Sequence, residues 1–304
     1  MKVGVILPLG EIERLGRTMS YAEIRGLARQ VEEAGFDSVW IYDHLLYRFP
    51  EQKPFGVWEG WTIMTALAEA TERVEIGGLV FCTAFRNPAV LAKMAVTLDE
   101  VSGGRIILGL GCGWHEPEFD AFGLPFDHRV DRFEEACEII VPLVKEGKID
   151  FTGKYYSAPN CEMMPPPRKG GVSVLIASSK PRMHGLTAKF ADSWNTAWLG
   201  QASALTPRRE GIEAACVEAG RDPATLEITV GLNVAFPGME GAPEDTSDPA
   251  KFLTGTADEL AAGLQGYAAA GVGHVICNCM PVETETVGQL AEALARFKAP
   301  VGAA

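Results

Sequence analysis

An α/β barrel of eight strand–helix units is the fold this sequence predicts, and three observations predict it. Short apolar runs alternate with amphipathic helical stretches from one end of the chain to the other, and that alternation demands a parallel sheet. The device Ala34-Gly35-Phe36-Asp37-Ser38-Val39 recurs as Ala270-Gly271-Val272-Gly273-His274-Val275, a helix stop followed by a strand used twice. The 304 residues suit one barrel with insertions, because barrels commonly run to 250 residues or more as a single unit. An open doubly wound sheet is the competing arrangement, since strand order is not visible in sequence.

The elements follow in order. Val3 to Pro8 is a short apolar run ending in proline, the first strand. Ser20 and Glu23 form a capping box, and Ile24, Leu27, Ala28 and Val31 share one face of a helix stopped by Gly35. The strand Ser38 to Tyr42 comes next, then a helix from about Trp61 to Thr71 and a strand from Val74 to Phe81. Asn87 and Pro88 open a helix lined by Val90, Leu91, Met94 and Leu98, and Ser102, Gly103 and Gly104 stop it. Ile106 to Gly111 is the fourth strand; Phe133, Ala136, Cys137, Ile140, Val141 and Val144 mark the following helix.

Lys145 to Gly171, rich in proline, glycine and aromatics, breaks the rhythm and reads as an excursion over the surface or over a site. The rhythm resumes with the strand Val172 to Ala177, a helix from about Arg182 to Phe190, the strand Asp192 to Thr196, a helix ending at Gly220 and the strand Glu227 to Val234. Phe236 to Lys251 is a second irregular, acidic insertion. Thr256 and Glu259 cap a helix lined by Leu260, Leu264 and Tyr267, His274 to Cys279 is the eighth strand, and Val287, Leu290, Leu294 and Phe297 line a closing helix before a frayed tail. The whole chain, 1–304, is expected to be one barrel domain, with insertions at about 145–171 and 236–255.

Composition removes several function classes. A hydrophobic fraction of 47% and a charged fraction of 22% describe an ordinary globular chain. With a formal charge of -13 it offers no basic field to nucleic acid or to an anionic membrane surface. No run approaches a membrane span and the N-terminus carries no cleavage signal, so the expectation is a cytoplasmic protein. Seven scattered cysteines, mostly within apolar runs, read as reduced thiols rather than a disulfide framework. The pair Cys277 and Cys279 has no second ligand pair at zinc spacing.

In a barrel of this kind chemistry sits at the carboxyl ends of the strands. Those ends hold Asp43 and His44; Val80 and Cys82; Gly111, Gly113, Trp114, His115 and Glu116; Ala177, Ser178 and Ser179; Asn195 and Thr196; and Asn278 to Pro281. Asp43-His44 has three readings: a turn with a helix cap, a metal-ligand pair, or an acid/base group beside a ligand. Metal is disfavoured because the five histidines include neither H-x-H nor H-E-x-x-H, so no metal is assigned. Histidine titrates near neutrality, which makes the acid/base role chemically natural. Glu59, with Trp58 and Trp61 ahead of the second helix, offers a further carboxylate to a pocket and joins Asp43 and His44 as a candidate catalytic group. His128 and His184 read as solvated helix residues and His274 as a strand start.

Gly109-x-Gly111-x-Gly113 is not a dinucleotide fingerprint, since it follows the fourth strand and lacks the G-x-x-G spacing. Small residues there let a flat ligand or a phosphate approach the backbone. Ala177-Ser178-Ser179, just ahead of a helix, suits a phosphate on backbone amides, and a helix cap explains it equally well.

These stretches resemble the luciferase-like monooxygenase superfamily, and within it the F420-dependent oxidoreductases. The resemblance rests on EEAGFDSVWIYDHLL (32 to 46), WEGWTIMTALAEATERVEIGGLV (58 to 80), FRNPAVLAKMAVTLDEVSGGRIILGLGCGWHEPEFDAFG (85 to 123), AKFADSWN (188 to 195) and a C-terminal GTADELAAGLQGYAAAGVGHV. It implies a (β/α)8 TIM barrel, frequently a homodimer, that binds coenzyme F420 or, alternatively, FMN at the strand ends. It implies Asp43 and His44 beside the ring, His44 exchanging a proton and Asp43 positioning it, and a bulge with a non-proline cis peptide near Leu79 and Val80. The family's glycine-rich phosphate loop maps to Ala177-Ser178-Ser179, where this chain lacks the usual glycines. The implied activity is hydride transfer between the deazaflavin and a small-molecule substrate. A two-component FMN monooxygenase, fed by a reductase partner, is the alternative, and a non-catalytic flavin-binding protein a third possibility.

Overall fold

A computed structural model describes residues 1–299, so the tail expected to fray lies mostly outside the described residues. Eight parallel strands close on themselves in sequence order: β1 Lys2–Ile6, β2 Ser38–Ile41, β3 Glu75–Gly78, β4 Ile106–Gly111, β5 Ser173–Ala177, β6 Ser193–Leu199, β7 Glu227–Ala235 and β8 His274–Met280. The closure is direct, with Gly4 paired to Ile276 on one side and to Ser38 on the other, and Ser173 paired to Ile107. The open-sheet alternative is thereby removed.

Eight helices wrap the staves: α1 Tyr21–Glu33, α2 Gly60–Ala70, α3 Pro88–Ser102, α4 Arg129–Lys145, α5 Pro181–Phe190, α6 Thr206–Glu218, α7 Ala257–Ala269 and α8 Thr284–Lys298. Both expected capping boxes form, at Ser20 with Glu23 and at Thr256 with Glu259, each satisfying amide donors that a helix start leaves over. Asn87 caps α3 through the amides of Ala89 and Val90. The apolar stripes face the strands, so Ile24, Leu27, Ala28 and Val31 are buried on α1 and Val287, Leu290 and Leu294 on α8. Among the described residues no helix is long and apolar enough to cross a membrane.

Inside the barrel Ile6, Trp40, Leu79, Leu175 and Ile276 form a core of their own. Trp40 is its largest member, and the neighbouring staves make room for it with glycine. A methyl group at Gly77 would lie 2.2 Å from the Trp40 ring, and one at Gly4 1.9 Å from Ser38 Oγ. The amino-terminal end of the barrel is therefore plugged with side chains.

Four local expectations need correction. The stave Val74 to Phe81 is not continuous: it breaks at the cis peptide Leu79-Val80, the place where the family resemblance implies such a bond, and resumes as the short strand Phe81–Cys82. The excursion after Lys145 contains an antiparallel hairpin, Lys148–Thr152 with Ser157–Glu162, which the alternation in KIDFT already signalled. A short helix, Glu116–Phe122, follows β4 where none was expected. His184 is buried against Trp194 under α5 rather than solvated, because α6 covers that face of α5; Gly211 leaves room for the imidazole.

Candidate active site

At the carboxyl end, the space the core leaves open becomes a cleft of about 560 Å³. Its floor is Ile6, Leu79 and Val80; Asp43, His44 and Tyr47 come from the segment after β2, and Gly111 to Trp114 from the segment after β4. Ala177, Ser179, Trp198 and Asn278 close the far side.

Tyr42 fixes the first wall. Its buried hydroxyl accepts from the amides of Leu9 and Gly10 at 2.9 and 2.6 Å, tying the loop after β1 to β2. The next residue, Asp43, is buried; its Oδ2 accepts from the Cys82 amide at 3.0 Å and from Arg86 Nη1 at 2.7 Å, and its Oδ1 from Arg86 Nη2 at 3.0 Å. Arg86 also contacts Glu59. Burial works against the Arg86 charge, but the Asp43 and Glu59 carboxylates outweigh it and raise that pKa. Burial likewise pushes the Asp43 carboxyl up, and Arg86 and the Cys82 amide pull it back. A bidentate guanidinium–carboxylate contact is the strong form of this interaction and fixes both partners in place.

His44 is held by a different acid. Its Nδ1 lies 3.0 Å from Glu118 Oε1, and Glu118 Oε2 accepts from the Leu45 amide at 2.8 Å. Glu118 itself is 1% exposed. A carboxylate only accepts, so Nδ1 carries the proton of this contact and Nε2 is the ring nitrogen left for another partner. Tyr47 packs on the His44 ring at 4.6 Å and Trp114 meets it edge-on at 5.6 Å. His115, buried next to this group, accepts from the Arg48 amide, and burial lowers its pKa.

The structure brings together Asp43, His44, Leu79, Val80, Cys82, Gly111, Gly113, Ala177 and Ser179 around one cleft. It does not bring the other candidates to that wall. Glu59 caps α2 through the amides of Trp61 and Thr62 while contacting Arg86. Glu116 is an exposed first residue of the short helix; its neighbour Glu118, two residues on, is the one that turns inward. Ser178 accepts from Thr187 and Trp194, Asn195 donates to Thr229 at 2.9 Å, and Thr196 accepts from Arg208 at 2.9 Å. The space beside Gly111 is taken by Val80 rather than by room for a ligand: a methyl group there would lie 2.6 Å from Val80 Cγ2.

One role is corrected outright. Asp43 does not position His44, because Arg86 occupies both its oxygens; Glu118 does so. Glu118 and Arg86 escaped sequence reasoning for the same reason. Both are charged residues whose partners lie 27 to 74 positions away, and only burial reveals that each needs one.

A sequence model of the luciferase-like monooxygenases matches residues 1–272. A pyrimidine monooxygenase RutA of Agrobacterium fabrum is 31% identical over 247 residues, 76% of this chain and 67% of that protein. An F420-dependent hydroxymycolic acid dehydrogenase of Mycobacterium tuberculosis is 30% identical over 273 residues, 84% of this chain and 69% of that one. Three further pyrimidine monooxygenases are matched over 60% to 65% of their length, so the chain spans less than two thirds of those relatives. In architecture the chain is similar to an F420-dependent secondary alcohol dehydrogenase solved with an F420–acetone adduct, at a TM-score of 0.80 and 20% identity over 98% of this chain and 99% of that one.

Proposed function

The chain belongs to the luciferase-like monooxygenase family, and from that premise we propose that it is an F420-dependent oxidoreductase acting on a small organic molecule, with His44 as its proton-handling group. The observation that carries this reading is the His44–Glu118 pair at the carboxyl ends of the strands. An imidazole whose Nδ1 is anchored on a buried carboxylate keeps its other nitrogen aimed and ready to take up or give a proton.

The cleft suits a flat tricyclic cofactor. Ile6, Leu79 and Val80 supply an apolar surface for a ring, and Ala177 and Ser179 line the cleft just ahead of α5, where first-turn amides without helical partners can take a phosphate. When bound, F420 supplies a two-electron hydride acceptor or donor at C5 of the deazaflavin. The protein's part is the proton: for an alcohol, His44 Nε2 accepts the hydroxyl proton as the carbon gives up hydride, and the reverse direction returns it. Asp43, locked by Arg86, holds the Cys82 amide and so shapes the wall beside Leu79 and Val80.

A second reading is an FMN-dependent monooxygenase served by a flavin reductase; what favours it is the 31% identity to a protein named a pyrimidine monooxygenase. Either reading includes a small-molecule substrate and is compatible with a homodimer. Titrating the purified protein with F420 and with FMN, followed by absorbance and fluorescence, separates them. The F420 reading expects tight F420 binding; tight FMN binding with no F420 response overturns it, and binding without turnover of any compound favours a non-catalytic flavin carrier.

A further inference from the structure

Resting on the F420 reading above, we propose that the substrate is an uncharged aromatic or heteroaromatic compound, seated against Trp114 and Tyr47 with its reacting group at His44. Two independent features of the cleft lead there, one electrostatic and one geometric.

The electrostatic feature is an inventory of charge. Among the described residues that line the cleft there is no lysine and no arginine, and the acids are Asp43 and Glu118. Asp43 is saturated by Arg86 and the Cys82 amide, Glu118 by His44 and the Leu45 amide. With the first-turn amides of α5 taken by the cofactor's phosphate, an anionic substrate would enter a partly buried site with two carboxylates beside it and no lysine or arginine among its lining residues, in a chain of formal charge -13. Burying a charge without a partner is strongly unfavourable. A cationic substrate would find both carboxylates already engaged.

The geometric feature is the wall above His44. Tyr47 and Trp114 flank the imidazole at 4.6 and 5.6 Å. Behind them Phe55 stacks on Tyr47 at 4.7 Å, and Phe49 lies parallel to Trp114 at 6.4 Å and 24°. The layer behind fixes the two front rings, so their faces are set before anything binds. Trp114 is nevertheless 58% exposed. A large indole that is backed on one side and open on the other is a docking face for another flat ring, since offset stacking adds affinity beyond simple area burial.

Three ketones of similar size separate the two features: acetophenone, neutral and aromatic; cyclohexyl methyl ketone, neutral and saturated; and benzoylformate, aromatic and anionic. Calorimetric titration into the F420-loaded protein is expected to rank acetophenone about tenfold tighter than either of the others. Trp114→Ala should erase the preference for the aromatic ring, Trp114→Phe should keep most of it, and both should leave F420 affinity within about twofold, because the indole is assigned to substrate rather than cofactor. Benzoylformate binding as tightly as acetophenone, absence of any ring preference, or no binding of the three overturns the proposal. So does a Trp114→Ala protein that loses F420 and ketone affinity by the same factor, which would make Trp114 part of the cofactor wall. Repeating the three titrations without F420 keeps the inferences distinct: failure to bind F420 overturns the cofactor reading alone, while the ketone ranking still decides the substrate class.

Discussion

At the amino-terminal end of the barrel His274 meets the hydroxyl of Ser38 at 2.7 Å, with the Trp40 indole donating to the same oxygen at 2.7 Å. At the carboxyl end His44 meets the carboxylate of Glu118 and borders a cleft. The first histidine is sealed among uncharged partners, and burial lowers its pKa from 6.5 to about 3, so it is a fixed neutral hydrogen-bonding group. The second has an anionic anchor and an open side. The same residue type is locked away in one setting and left reachable in the other, and the proposed chemistry falls on the reachable one.

The sharpest way to break that contrast is to damage one end and watch the other. Trp40→Ala removes the plug of the closed end, and the loss of a buried tryptophan is expected to cost about 3–5 kcal/mol. Urea unfolding should show that loss, whereas a variant of unchanged stability would mean the internal core does not hold the barrel.

Acid tests the closed end more finely. Between pH 6.5 and about 3 the unfolded chain protonates His274 while the folded chain does not. Stability attached to this group is therefore complete above the unfolded pKa and falls as the pH drops, by about 1.4 kcal/mol per unit. Unfolding free energies from urea titrations at pH 6.5 and at about pH 5 should differ by about 1.6 kcal/mol less in His274→Gln than in the parent protein. Equal differences would show that His274 is not the sensor.

The open end should respond in rate as well. Glu118→Gln keeps the size but turns one accepting oxygen into a donating amide group that must face either His44 Nδ1 or the Leu45 amide; turnover should fall at least about tenfold with KM nearly unchanged, and the unfolding free energy should drop by about 1–3 kcal/mol. A rise in KM at constant kcat would make Glu118 a binding residue.

Much of this architecture is legible in the chain itself. Each stave and each flanking helix is marked by local signals, such as the capping box at Ser20 or Gly35 at φ +83°, because helix starts, helix stops and buried strands are decided within a few residues of sequence. The cleft lies at the strand ends, the part of a barrel that sequence reasoning singles out, and Asp43 and His44 are among its lining residues. What escaped was pairing. That Asp43 belongs to Arg86 and His44 to Glu118 depends on which staves adjoin and how a seven-residue helix after β4 turns, and no local pattern encodes that. Sequence reasoning names Glu116 among the strand-end candidates and passes over Glu118, because both acids stand in the HEPE stretch and only the helix period decides which one faces inward.

The central claim is that His44 handles a proton beside a bound deazaflavin, and it is tested most directly on His44→Ala, with F420 affinity and turnover measured on the same preparation. The account predicts F420 affinity close to that of the parent protein and turnover lower by about 10²–10⁴-fold. Parent-like turnover in a variant that binds F420 normally would contradict it.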